Sequence, residues 1–101
     1  MSEIDIDKVA EIHRQIDLVL LHDWNPIGVP DIPEVQDEYR NYVRGVYDIA
    51  VKTRSARMVA EHLVKMERDN MGLFVLGLRP WKKRVPIAEK ILTLVSDVGP
   101  L

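Results

Sequence analysis

Three histidines (His13, His22, His62), three serines (Ser2, Ser55, Ser96) and the adjacent acids Asp37 and Glu38 are the side chains of this 101-residue sequence best suited to proton transfer, nucleophilic attack or metal binding. A metal site wants three or four converging ligands, yet only His13 and Asp17 stand four apart on one helical pattern, so no metal is expected. His62 falls on an apolar face and suits a hydrogen-bonded core residue better. Nucleophilic catalysis needs a hydroxyl beside a histidine base, and all three serines instead sit near helix boundaries. Asp37 and Glu38 would project about 100° apart in the first turns of a helix, where the dipole favours them, which suits solvated capping better than an acid and base pair. The five glycines are scattered, so no phosphate loop can form, and without cysteine there is no disulfide, thiolate nucleophile or thiolate ligand. The chain is therefore not expected to be an enzyme or to carry a cofactor.

What the side chains do suggest is recognition. Trp24-Asn25-Pro26-Ile27-Gly28-Val29 carries Asn, Pro and Gly at the first, second and fourth positions of a type I turn. A Trp before such a turn is more often a core plug than a stacking platform for a ligand, because its ring buries about 200 Å² while the indole N–H finds an acceptor. Asp23, Asp31, Glu34, Asp37 and Glu38 place five acids within sixteen residues, with Trp24 and Tyr39 as candidate aromatic anchors. The candidate partner-binding set is Asp23, Trp24, Pro26, Ile27, Gly28, Asp31, Glu34, Asp37, Glu38 and Tyr39, presented to a basic protein surface.

Four helical patterns must position these residues. Val9, Ile12, Ile16, Val19 and Leu20 make one apolar stripe from about Ile6 to Leu21. A second pattern runs from about Glu34 to Val51, with Val35, Tyr39, Tyr42, Val43, Val46, Ile49 and Ala50 inward; Ile32 precedes Pro33 and resists the helical region, which blurs the start. The third starts after the N-cap Ser55 and runs to about Asn70, with Val59, His62, Leu63 and Met66 inward and Gly72 past its end. The fourth follows Val85-Pro86, with Ile87, Ala88, Ile91, Leu92 and Val95 on one face. Three prolines stiffen the connection from His22 to Pro33, a suitable base for a binding surface.

Between the third and fourth helices, Leu73 to Trp81 is unusually apolar for a surface connection. It either folds over the bundle to close the core, as a short strand for instance, or forms a docking patch for a homodimer through Phe74, Leu76 and Trp81. Two basic features, the start of the third helix at Arg54 and Arg57 and the cluster Lys82-Lys83-Arg84, raise the alternative of a nucleic-acid-binding or transcriptional module. Against it stand the acidic net charge of −2 and the lack of a recognition helix after a short turn. The charge is unevenly spread: residues 1–51 hold eleven acids and four bases, a balance of −7, and residues 52–101 hold five acids and ten bases, a balance of +5. Such asymmetry serves equally for steering a charged partner or for packing complementary helix pairs.

Asp23, Trp24 to Val29, Asp37-Glu38-Tyr39, Tyr42 and Met71-Gly72-Leu73 together resemble the W-D-P-I-G-V, D-E-Y and M-G-L signature of a bacterial family of small helical proteins of unknown function. The similarity runs from Leu18 to Leu73, with Asn25 standing where the family has Asp, so the turn carries one charge fewer. Several members are candidate immunity proteins of bacterial toxins, which the resemblance extends to this chain as an expectation. With 47% hydrophobic and 30% charged residues, the composition fits one all-α domain over residues 1–101, a bundle of about four short helices. No apolar run reaches the roughly 20 residues of a membrane span, and the acidic start Met1 to Asp5 is unlike a signal peptide, so a cytoplasmic protein is expected. Its function is expected to be non-catalytic protein binding, in an immunity or regulatory role.

Overall fold

A computed structural model of the chain describes residues 6–25, 28, 32–73 and 75–98. Four α-helices, α1 (Ile6–Val19), α2 (Pro33–Thr53), α3 (Ala56–Lys65) and α4 (Val85–Leu94), follow the four sequence patterns, and the described residues include no strand. Each helix packs against its neighbours in chain order, and α1 also packs against α4, which closes the bundle.

Local chemistry sets the boundaries. Pro33 opens α2 because Ile32 before it is extended (φ −83°, ψ 122°), as a residue preceding proline prefers to be, so the helix begins one residue before the expected Glu34. It continues two residues past Val51 and stops at Arg54, which turns left-handed at φ 52°. The Ser55 hydroxyl accepts from the Met58 N–H at 3.2 Å and caps α3. Two helices end in a wider π turn, α1 in Leu20–Trp24 and α3 in Met66–Asn70. The first closes with the Asn25 N–H on the Leu20 carbonyl at 2.9 Å, and the second with the Met71 N–H on the Met66 carbonyl at 3.0 Å. Gly72, at φ +67°, follows the second turn as expected, and the Leu73 N–H reaches back to the Glu67 carbonyl at 2.8 Å.

The core holds the centres of the expected stripes, while Val9, Val19, Tyr42, Ile49, Ile87 and Leu92, also expected inward, are half-buried at its edge. Ile12, Ile16 and Leu20 of the first pattern, Val35, Tyr39, Val43, Val46 and Ala50 of the second, and Val59, Leu63 and Met66 of the third are buried. From α4 and the turn after it, Ala88, Ile91 and Val95 complete the core. Tyr47, Val51, Ala60 and Val64 are also buried, though the stripes omitted them, because α2 and α3 each touch more than one neighbour and bury a broader face.

Two expectations for Leu73–Trp81 need correction. No short strand is found among its described residues, and they do not close the core: Leu76 and Leu78 are exposed, while Trp81, at the start of a 3₁₀ turn over Pro80–Arg84, packs against the core from its edge. Gly77 at φ +105° bends the connection sharply, and Pro80 removes a backbone donor that strand pairing would use.

His62 is only half-buried, but its Nε2 is enclosed and finds no hydrogen-bond partner among the described residues, so the hydrogen-bonded core histidine expected there is not observed. Burial, followed by the nearby positive charge of Lys65, holds its imidazole below the ordinary value of 6.5. In the unfolded chain this histidine protonates first as pH falls. Its contribution to stability should therefore be complete above pH 6.5 and decline as pH drops from there toward the depressed folded value. Urea unfolding across that window should show the decline in the wild type and a shallower one in His62→Gln; equal slopes would show that His62 carries no such linkage.

Candidate functional site

Trp24 ends the first π turn, and its burial at 7% exposure makes it the core plug the turn pattern favours. Its ring centroid lies 5.6 Å from that of Tyr39, in a tilted arrangement, and 6.3 Å from that of Tyr42, edge-on. The indole Nε1 donates to Glu67 Oε2 at 2.8 Å. Glu67 belongs to the second π turn and, at 3% exposure, is a buried carboxylate that needs a cation. Arg84 supplies it: Nε donates to Glu67 Oε2 at 2.9 Å, Nη2 donates to Oε1, and Nη1 donates to the Pro80 carbonyl at 2.8 Å. One carboxylate thus ties together the ends of α1 and α3 and the 3₁₀ turn before α4.

The next residue shapes the loop. Asn25 is left-handed at φ 35°, a conformation asparagine tolerates better than most residues, and its Oδ1 accepts from the Gly28 N–H at 3.1 Å and from the Tyr39 hydroxyl at 3.3 Å. The Gly28 N–H also reaches the Asn25 carbonyl at 3.2 Å, the closing hydrogen bond a turn between these two residues calls for. Both side-chain contacts use an oxygen that Asp would offer as well as Asn. Pro26, Ile27 and Asp31 of the candidate set lie outside the described residues.

On the outer side of this scaffold, Glu34, Asp37, Glu38, Asn41 and Tyr42 line an open cleft of about 390 Å³ along the first half of α2. The Tyr42 hydroxyl donates to Glu38 Oε1 at 2.8 Å. Burial, reinforced by the Glu38 carboxylate and by Tyr39, pushes the Tyr42 hydroxyl up to about 12, so it remains a protonated donor through the neutral range. Asp37 makes a 3.6 Å contact with Arg40, both side chains being well exposed, so that pair contributes little to stability. The cleft therefore offers carboxylate acceptors and one amide, groups that would take hydrogen bonds from lysine or arginine side chains.

The candidate residues do not all reach this surface. Trp24 and Tyr39, expected as aromatic anchors of the surface, are both buried: the Trp24 indole bonds Glu67 and the Tyr39 hydroxyl bonds Asn25. Asp23 lies apart from the cleft and pairs with Lys90 of α4 at 3.1 Å. Tyr42 and Asn41, absent from the candidate set, do line the cleft; their spacing of three and four from Glu38 would have placed them on its face. Glu67 and Arg84 were also missed. The signal for Glu67 was its place four residues after Leu63 on the buried face of α3.

The basic residues behind the nucleic-acid alternative are largely engaged. Arg54 donates from Nε to the Val51 carbonyl at 2.9 Å, from Nη1 to the Val95 carbonyl at 2.8 Å, and from Nη2 to the Val98 carbonyl, so it fastens the end of α2 to the segment after α4. Arg57 lies over the Trp81 ring at 4.7 Å and pairs with Glu61 at 3.3 Å. Arg84 serves Glu67. Asp17, considered with His13 for metal binding, instead contacts Arg40 at 3.9 Å, and the described residues hold no group of three potential metal ligands. Of the candidate oligomer residues, Leu76 is exposed, Trp81 is half-buried, and Phe74 lies outside the described residues. No described helix is long and apolar enough to cross a membrane. Compared with family models, curated proteins and solved structures, the chain matches none.

Proposed function

We propose that the chain is a non-catalytic protein-binding module, regulatory or toxin-neutralising, that presents the acidic first half of α2 to a basic partner surface. The observation that carries this is the cleft in which Glu34, Asp37 and Glu38 gather on one helical face beside Tyr42, whose ring packs edge-on against Trp24. A rigid scaffold beneath acidic acceptors limits the ordering cost of binding, and the charge speeds encounter with a cation-rich partner. The resemblance to a family with candidate immunity proteins points the same way.

Asp37→Lys combined with Glu38→Lys should leave the fold nearly intact. Exposed charges cost under about 0.5 kcal/mol, with a few tenths more for their place in the first turns of a helix. Tyr42 is only partly buried, so water can replace Glu38 as its acceptor. Recovery of partners from a cell extract should nevertheless collapse, and the wild-type association rate with a recovered partner should fall steeply with salt. Undiminished recovery by the doubly reversed protein would refute the acidic-face proposal. Loss on reversing Arg57, Lys82 and Lys83 instead would favour the nucleic-acid alternative.

A further inference from the structure

Leu76 and Leu78 are 74% and 101% exposed, an unusual condition for two leucines so close together. Leu78 borders a cleft of about 310 Å³ between α3 and the connection to α4, walled by Val64, Pro80 and Trp81 and flanked by Lys65 and Arg68. The surroundings are basic, since Arg79, Lys82 and Lys83 are exposed nearby in the chain. Of the two acids in the cleft, Glu61 is already held by Arg57, which leaves Asp69. The start of α2 has the converse character: Glu34 and Asp37 are exposed, Glu38 is half-exposed, and Ile32 just before them is 43% exposed.

We propose that this cleft is a docking site for a second copy of the chain, which seats the acidic start of its α2 there, with Ile32 against the leucines. Charge selects this occupant. Bringing two copies together leucine patch to leucine patch would set Arg79, Lys82 and Lys83 against their own counterparts, and like charges across an interface are costly. Acid on base removes that repulsion. Every copy carries both halves of the contact, because the balance of −7 over residues 1–51 is opposed by +5 over residues 52–101, and unlike halves attract as two copies approach. The contact is heterologous, so a dimer retains one free acidic face and one free basic cleft, and longer assemblies form at higher concentration. Self-association shares the acidic face with the proposed function, and a basic partner therefore competes with it, but the inference does not require that partner to exist.

The test uses the purified full chain in sedimentation equilibrium, alongside two charge-reversed proteins, Asp37→Lys with Glu38→Lys and Lys82→Glu with Lys83→Glu. Wild-type mass should rise with concentration, and the association should weaken about tenfold or more between about 0.05 M and about 0.5 M salt. Each reversed protein alone should be monomeric. Mixed together they should form a one-to-one complex, since the first retains an intact basic cleft and the second an intact acidic face. Leu78→Ser, at a fully exposed position, should keep the fold and weaken association at either salt concentration. A wild type that is monomeric at every concentration, or a mixture that does not associate, would overturn the inference. So would tighter self-association of Lys82→Glu with Lys83→Glu than of the wild type, which would show the leucine patches meeting each other. Partner recovery with that last protein tests the proposed function separately, because its acidic face is unaltered.

Discussion

Trp24→Ala should destabilise the protein by about 3–5 kcal/mol in urea unfolding, the range for removing a large buried aromatic. The ring is 7% exposed and lies against both Tyr39 and Tyr42, so its loss opens a cavity where the ends of α1 and α3 meet the first half of α2. Trp24→Phe separates packing from hydrogen bonding. It keeps most of the apolar volume but removes the Nε1 donor from Glu67, whose Oε2 retains only Arg84 Nε among the described residues, and a hydrogen bond to a charged group contributes about 1.5–3 kcal/mol. The ordering expected is therefore alanine well below phenylalanine, and phenylalanine below wild type. A loss under about 1 kcal/mol for Trp24→Ala would mean that the ring is not a plug, and would restore it as a candidate surface anchor.

Much of the scaffold was legible in the sequence because its determinants are local. Apolar spacing marks each helix, Ser55 caps α3, and the restriction of Ile32 by Pro33 accounts for both the blurred start expected for α2 and the extended residue found there. The turn at Trp24 is equally local, since Asn25 and Gly28 close it with their own atoms. What was not legible depends on partners distant in the chain. Lys82-Lys83-Arg84 reads as one solvated basic run, yet Arg84 alone turns inward, because Glu67 lies seventeen residues earlier and needs it. Asp23 reads as part of an acidic patch, yet it faces Lys90, sixty-seven residues on. Trp24 and Tyr39 fit both an anchor and a plug by type, and only the burial around them distinguishes the two. Leu73–Trp81 misleads for a related reason. Its composition suits a strand, but Gly77 and Pro80 interrupt it, and its described leucines at 76 and 78 are left in solvent.

The Glu67 and Arg84 pair should show the strongest coupling in the molecule. Arg84→Met leaves a carboxylate whose side chain is 4% exposed without its cation, and breaking a buried pair from one side costs about 3–5 kcal/mol. Glu67→Gln should cost less, because the Arg84 side chain is 19% exposed and its guanidinium retains the Pro80 carbonyl, while glutamine still offers an oxygen to the Trp24 indole. Combining the two removes both charges and keeps that acceptor. The double variant should therefore be more stable than Arg84→Met alone, with a coupling of about 1–3 kcal/mol in the double-mutant cycle. The exposed pair Arg14 and Glu11, with side chains 60% and 53% exposed, provides the contrast: its cycle should show little coupling, fading with added salt, whereas the Glu67 coupling should persist. Additive losses at Glu67 and Arg84 would mean that the two side chains do not act as a pair, and that the second π turn and the 3₁₀ turn are joined by their other contacts.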